Sequence, residues 1–282
     1  MFIWLASYPK SGNTLLRSLL SAYFFSNDGQ FSFDLIKNIK QFPNWPIFKK
    51  AGVDLGDDNE VIKNYIKVQE TFCQKDTIQF LKTHSYLFNF YNKYPFTNLQ
   101  NSLGVIYIVR DPRNVAMSFA HHNSKSVRNT IDLMINPLAT GNELNQVETY
   151  LGSWNFHYNS WKVFKQSNKY FLLKYEDLII DTKNSFKQVL NFINNNLEFP
   201  ISIEDRKIEK IIDQTKFSKM RNLEKKDGFD EAKINDNTGK IVPFFNLGPK
   251  NDWKKNLDGN SISIIEEYFK EEMIELNYLR SF

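Results

Sequence analysis

Apolar positions along the chain alternate between short continuous runs and helical stripes. Phe2-Ile3-Trp4-Leu5-Ala6 is an apolar run of strand length, closed by the turn-forming Ser7-Tyr8-Pro9-Lys10-Ser11-Gly12. From about Asn13 onward, Leu15, Leu16, Leu19, Leu20 and Tyr23 recur at helical spacing. Strand, tight loop and helix form the opening unit of a parallel α/β sheet. Residues 78–81 read as a second strand running into Lys82-Thr83-His84. Residues 104–109 are apolar apart from Gly104, as a central parallel strand should be, and lead into Arg110-Asp111-Pro112-Arg113-Asn114. A helix is predicted there over about 112–122, since Asp111 suits a cap and Pro112 the first turn.

Further along, an aromatic-rich helix is predicted over 150–165, with Trp154 and Trp161 two turns apart. A strand over 170–175, a helix over 183–194 carrying Phe186, Val189, Leu190 and Ile193, and a last helix over 262–276 complete the pattern. Segments 26–75, 123–147 and 218–250 show no clean period and read as loops and lids over the carboxyl edge of the sheet. The expected architecture is α/β, a mostly parallel central sheet flanked by helices. With no repeat and no linker, residues 1–282 are expected to form one domain.

Composition narrows the picture. The 25 Phe, 13 Tyr and 5 Trp are spread through 282 residues, which excludes disorder for most of the chain. A single cysteine, Cys73, excludes an intrachain disulfide and a Cys-rich zinc site, and reads as an ordinary thiol. No apolar run approaches the ~20 residues that span a bilayer, and the first residues do not resemble a signal peptide. A cytoplasmic protein is expected. The net charge of +4 does not argue for nucleic acid. Arginine is rare, with seven among 36 basic residues, so an Arg inside a motif carries more meaning than another Lys.

Three clusters carry chemistry. Tyr8-Pro9-Lys10-Ser11-Gly12-Asn13-Thr14, between strand and helix, offers backbone N–H groups, hydroxyls and a lysine to an anion, without the Walker spacing. His84, at the end of a strand two residues after Lys82, reads either as a general base or as a hydrogen-bonded structural histidine. Arg110 either grips a phosphate with Ser118, two helical turns on, or pairs with Asp111 or another acid. His121, His122 and His157 show no metal spacing and read as structural, Trp154 and Trp161 as core, and Glu224-Lys225-Lys226-Asp227 as a solvated loop.

These clusters, in order, resemble sulfotransferases that use 3′-phosphoadenosine 5′-phosphosulfate (PAPS). Tyr8–Gly12 resembles the family's 5′-phosphosulfate loop, Arg110 through Ser118 its 3′-phosphate motif, and Lys82-Thr83-His84 the catalytic segment of its cytosolic branch. The 150–161 block with Gly152, Trp154, His157 and Trp161, the Tyr175-Glu176-Asp177-Leu178 block, and Gln214 through Met220 are similar to further family blocks. Phe244 through Gly248, followed by Asn251-Asp252-Trp253-Lys254, resembles the closing loop.

The resemblance implies PAPS as donor, PAP as product, no metal, and transfer of a sulfuryl group to a hydroxyl or amine of a small molecule. By position, Lys10, Ser11, Gly12, Asn13 and Thr14 would hold the 5′ phosphosulfate, and Arg110 and Ser118 the 3′ phosphate. Tyr175, Thr215, Phe217, Met220 and Gly248 would surround the nucleotide; Lys10 and Lys82 would oppose developing charge, and His84 would be the base.

Two departures stand out. Leu15 replaces the family's adenine-packing Trp, and Asn246-Leu247-Gly248 replaces the closing-loop Arg-Lys-Gly. Lys250 is the first candidate to supply the missing charge, with Lys216 and Lys219 behind it. Only seven residues precede Tyr8, so vertebrate acceptor preferences, which rest on an N-terminal extension, are not expected to carry over. A P-loop-like nucleotide kinase and a non-catalytic nucleotide-binding protein of the same fold are the alternatives. The acceptor and the oligomeric state are not readable from the sequence.

Overall fold

Five strands form an all-parallel sheet: β1 (Phe2–Ser7), β2 (Lys40–Gln41), β3 (Gln79–Thr83), β4 (Ser102–Val109) and β5 (Tyr170–Lys174). Their spatial order is β2-β3-β1-β4-β5. The computed structural model describes residues 1–73, 79–141, 147–197, 200–235 and 238–280. Ile78, predicted to open the second strand, lies outside them. The parallel α/β architecture expected from the sequence is the one the chain forms.

Each face of the sheet is covered, which explains the apolar runs. Phe2, Trp4 and Ala6 enter one core with Leu81, Val105, Tyr107 and Val109, against Trp154, Tyr158 and Trp161. Ile3 and Leu5 enter the other, with Phe80, Ile106, Ile108 and Leu173. That second core is closed by α1 (Asn13–Phe25) through Leu16, Leu19 and Leu20, and by the helix Thr182–Asn195 through Phe186, Val189, Leu190 and Ile193. A strand sandwiched between helices needs apolar residues at every position, not every second one. Each such side chain contributes about 1.5–3 kcal/mol by leaving water.

Register positions the site. Ala6 lies level with Thr83 of β3 and with Tyr107 of β4, and Ser7 with Ile108. The three strands therefore end together, and Tyr8–Gly12, His84 and Arg110 leave at one edge. Neighbouring strands continue on both sides of β1, so the crevice at this edge is a topological switch point.

Several elements differ from the pattern read in the sequence. The helix predicted over 150–165 is confined to α2, which is defined here as Trp154–Trp161. Tyr150 instead pairs with Thr140 in a two-stranded ribbon, and Gly152 turns the chain at φ 60 before the Ser153 cap. After Trp161 the chain tightens into a 3-10 turn, Lys162–Ser167. The predicted 170–175 strand stops at Lys174, and Tyr175 opens the short helix Tyr175–Ile180.

The irregular segments hold structure too. Segment 26–75 contains β2 and four helices, Phe33–Ile36, Trp45–Lys50, Asp58–Lys63 and Tyr65–Phe72. Segment 123–147 contains Val127–Ile135, capped by Ser126, and segment 218–250 contains most of α3 (Phe217–Asp227). A further helix, Asp205–Gln214, precedes α3, and the predicted last helix is two, Gly259–Tyr268 and Lys270–Glu275. No helix among the described residues is long and apolar enough to cross a membrane.

Candidate active site

The loop after β1 is shaped by two residues in the left-handed region, Lys10 at φ 63 and Gly12 at φ 109. Gly12 is required twice over: its φ suits glycine, and a Cβ would lie 2.4 Å from Cδ2 of Tyr175. Gly12 sits at the N-cap of α1 with no side chain capping it, and although Leu15 N–H donates to the Gly12 carbonyl at 3.1 Å, the N–H groups of Asn13 and Thr14 precede any carbonyl of the helix they could donate to. These groups and the helix dipole favour an anion. Asn13 ties this helix start to the strand, its amide donating to the Leu5 carbonyl at 2.9 Å and to Ser7 Oγ at 3.1 Å.

Arg110 does not pair with Asp111. Asp111 pairs with Arg113 at 2.7 Å, and Arg113 in turn reaches Glu266 and lies 3.7 Å from the Trp253 ring. Arg110 instead donates to the Lys10 carbonyl at 3.1 Å and stacks 4.3 Å from the Tyr175 ring. Its Nε is buried with no partner, as is Ser11 Oγ. Lys10 Nζ lies 3.5 Å from the centroid of Phe244. Burial pushes the Lys10 ammonium down to about 7; Glu231 opposes this shift, and Arg110 and Lys82 add to it.

His84 is held through one nitrogen. Its Nδ1 lies 2.7 Å from the Ser7 carbonyl, a contact that places the proton on Nδ1 and leaves Nε2 as the acceptor. Among the described residues Nε2 has no hydrogen-bond partner. Burial, aided by the charge of Lys82, holds the imidazole well below its ordinary pKa. His84 is therefore neutral at pH 7, the form a base requires. Behind it, Tyr107 donates its hydroxyl proton to His157 Nδ1 at 2.8 Å, and His157 Nε2–H donates to the His84 carbonyl at 3.0 Å. His157 is thus structural, as read from the sequence, and its structure serves His84.

A cleft of about 1110 Å³ opens at this edge. Lys10, Gly12, Asn13, Thr14, Lys82, His84, Arg110 and Ser118 all line it. So do Tyr175, Thr215, Phe217, Met220 and Gly248, from distant parts of the chain. Ser11 does not; it is buried beneath the loop. Thr14 lines the cleft, but its hydroxyl donates to Glu231 at 3.1 Å. Thr215 donates its hydroxyl back to Ile211 at 2.9 Å. Gly248, at φ 54, lets the closing loop meet Phe217, whose ring a Cβ would approach to 2.5 Å. Lys250 is exposed and lies outside the cleft, whereas Lys216 lines it and pairs with Asp213 at 2.9 Å.

Three functional-looking residues escaped sequence reading. Glu231 accepts from Thr14, Arg17 and Lys82 together. Glu224, read as part of a solvated loop, belongs to α3 and accepts from the backbone N–H groups of Phe244 and Phe245, fixing the closing loop. Arg17, buried one turn into α1, carried no signal beyond being one of few arginines. The partners of Glu231 lie 149 to 217 residues away in sequence and those of Glu224 lie 20 and 21 away, so local pattern could not pair them.

The family model described as Sulfotransferase domain matches residues 2–277. The chain belongs to the sulfotransferase family. It is 23% identical over 274 residues to Sulfotransferase 1A1 of Bos taurus, covering 95% of this chain and 82% of the relative. It is 26% identical over 279 residues to Flavonol 3-sulfotransferase of Flaveria bidentis, covering 97% of this chain and 78% of the relative. The structure of mouse sulfotransferase SULT7A1 complexed with PAP shares the fold, with TM-score 0.61, 21% identity, and coverage of 98% and 85% of the two chains. The chain is accordingly a sulfotransferase enzyme built on the family's parallel sheet.

Proposed function

We propose that this sulfotransferase takes its sulfuryl group from PAPS and delivers it to a hydroxyl or amine of a small, largely apolar acceptor. The observation that carries the reading is the convergence of Lys10, Lys82 and Arg110 with a neutral His84 at one helix N-terminus. The residues present fit the donor: Arg110, which lines the cleft, carries a buried Nε without a partner among the described residues, and Gly12 keeps the cradle free of a Cβ. When bound, PAPS supplies an activated sulfuryl group and leaves as PAP, the nucleotide seen in the mouse SULT7A1 structure.

Each residue then has a task. Lys10 and the first-turn N–H groups of α1 hold the 5′ end, and Arg110 with Ser118 holds the 3′ phosphate. Tyr175, Thr215, Phe217, Met220 and Gly248 enclose the nucleoside. Lys10 and Lys82 place positive charge where negative charge grows, the electrostatic contribution that dominates group transfer of this kind. His84 Nε2 accepts the acceptor's proton, while the Ser7 carbonyl steadies the imidazolium through Nδ1. The family's missing closing-loop charges are not replaced by Lys250; Asn246 and Lys216 line the cleft there. Residues 1–282 act as one domain in this reading.

Leu133, Leu151, Met117 and Phe119 give the cleft an apolar wall, which supports an aliphatic alcohol or phenol as acceptor. The name of the Flaveria relative records a flavonol. The test is a thermal-shift comparison of PAP, ADP and magnesium-ATP, followed by transfer from labelled PAPS to a mixed alcohol and phenol library. A ligand at 100 times its Kd adds about 2.7 kcal/mol, a visible shift. PAP should stabilise most, because among these ligands it alone has a 3′ phosphate for Arg110. A larger shift with magnesium-ATP would replace this reading with a nucleotide kinase.

A further inference from the structure

The cleft contains a carboxylate with no part in the function above. Glu231 lies just beyond α3, after the Gly228 turn. Its Oε2 accepts from Thr14 Oγ1 at 3.1 Å, and its Oε1 accepts from both Arg17 Nη2 and Lys82 Nζ, the latter at 3.1 Å. These partners come from α1 and from the end of β3, the two elements that bring the cradle and the Lys82–His84 segment together.

We propose that Glu231 is a positioning residue of the transfer reaction, holding Lys82 toward the cleft and pinning the 228–234 segment across the cradle. The proposal rests on the sulfotransferase reading of the cleft.

Charge and burial support it. The side chains of Arg17 and Lys82 are 5% and 8% exposed, so both cations need a nearby anion. Glu231 serves both from one oxygen, and this fixes where the flexible Lys82 stem ends. A lysine has four rotatable bonds and a point charge, so its catalytic position must be imposed from outside. Phe229, two residues earlier, is packed 4.5 Å from Phe33 and 5.0 Å from Phe244 between ring centroids. The segment is thus anchored beside Glu231 and cannot follow a wandering carboxylate. Displacement of Glu231 by an incoming anion would leave Arg17 behind the cleft wall without its partner, an outcome its burial opposes.

Glu231 also supplies a charge that Lys10 feels. The charged and titratable groups around Lys10 are Glu231, Arg110, Lys82, Glu224 and His122. Of these, Glu231 acts most strongly to keep Lys10 protonated.

The experiment compares wild type, Glu231→Gln, Lys82→Met and the double variant, using PAP calorimetry across pH 5.5–8.5 (roughly, a window bracketing neutrality) and labelled-PAPS turnover. Glu231→Gln should lower kcat about 10- to 100-fold, the scale of a misplaced catalytic group, with a smaller change in KM for PAPS. On the Lys82→Met background its further effect should shrink to about twofold or less, since the residue it positions is gone. The pH at which PAP affinity declines should move lower in Glu231→Gln, while the ionisation of PAP itself is common to both proteins. If Glu231→Gln fails to fold, Arg17→Met with Glu231→Leu removes the buried pair together and reads the same quantities.

Wild-type turnover with an unshifted pH midpoint in either variant would overturn the proposal. So would tighter PAP binding with faster turnover, which would mark Glu231 as a competitor of the donor. If wild type itself binds no PAP, the functional reading falls and takes this one with it. If wild type binds PAP and Glu231→Gln matches it in every measurement, only the Glu231 proposal falls.

Discussion

At the scale of single residues, the proposed mechanism makes two titrations set the pH range of activity. His84 must be neutral to accept a proton, and burial with the charge of Lys82 holds it well below its ordinary value. Lys10 must be charged, and burial brings it down to about 7. Active enzyme therefore exists above the first value and below the second. The expected kcat/KM profile, which reports the free enzyme, has its acid limb well below pH 6.5 and begins to fall near pH 7. His84→Ala should lose about 10²- to 10⁴-fold in kcat and lose the acid limb, while PAP affinity stays close to wild type. An acid limb that persists in His84→Ala assigns that limb to another group.

At the scale of elements, the chemistry depends on how loops are forced into contact. Gly12→Ala places a methyl into the Tyr175 ring and imposes a left-handed φ on alanine. Strain of this kind costs about 1–3 kcal/mol. The variant should fold, with a lower Tm, and bind PAP at least several-fold more weakly, because Tyr175 supports Arg110; unchanged calorimetric affinity would show that the loop adapts. The closing loop supports a different expectation. Lys250 is exposed and outside the cleft, so Lys250→Ala should leave PAP affinity at the wild-type level. A tenfold loss, roughly 1.4 kcal/mol, would instead mean that the loop rearranges on binding and brings Lys250 inward.

At the scale of the whole molecule, burial of histidines links stability to pH. Burial lowers His122 and His157 to about 3, and holds His84 well below its ordinary range. The unfolded chain, with ordinary histidines, binds more protons than the native one as pH falls below about 6.5. The histidine contribution to stability is therefore fully present above that pH and declines progressively below it. The Tm should fall through pH 6 and 5 (roughly, below the ordinary histidine value), ahead of carboxylate protonation, and should still rise with pH above 7, where Lys10 is losing a proton that the unfolded chain keeps. His157 is the most deeply buried of the three, between the Tyr107 hydroxyl and the His84 carbonyl, so His157→Gln should flatten the upper part of that decline. A decline of wild-type slope in His157→Gln would place the effect in other groups.

Much of this protein was determined by sequence alone. Strands β1 and β4, the helix α1 and the order of the motifs follow from local rules: apolar runs form strands covered on both faces, and Gly12 and Pro112 punctuate them. Lys10, Lys82, His84 and Arg110 were likewise legible, because each ends a strand or follows one closely enough for a single crevice to collect them. The short strand β2 and α3 were not legible. β2 has only two paired residues and borrows its regularity from β3, and α3 presents charged residues on most of its surface and buries Met220 alone. Tertiary structure alone decided that Asp111 belongs to Arg113 and leaves Arg110 to the cleft. It also decided that Lys250 stays outside, and that Glu224 and Glu231 close loops over it. An ion pair depends on distance in space, and the hydrophobic pattern that dictates local structure carries no record of which buried charge will meet which across more than a hundred residues of chain.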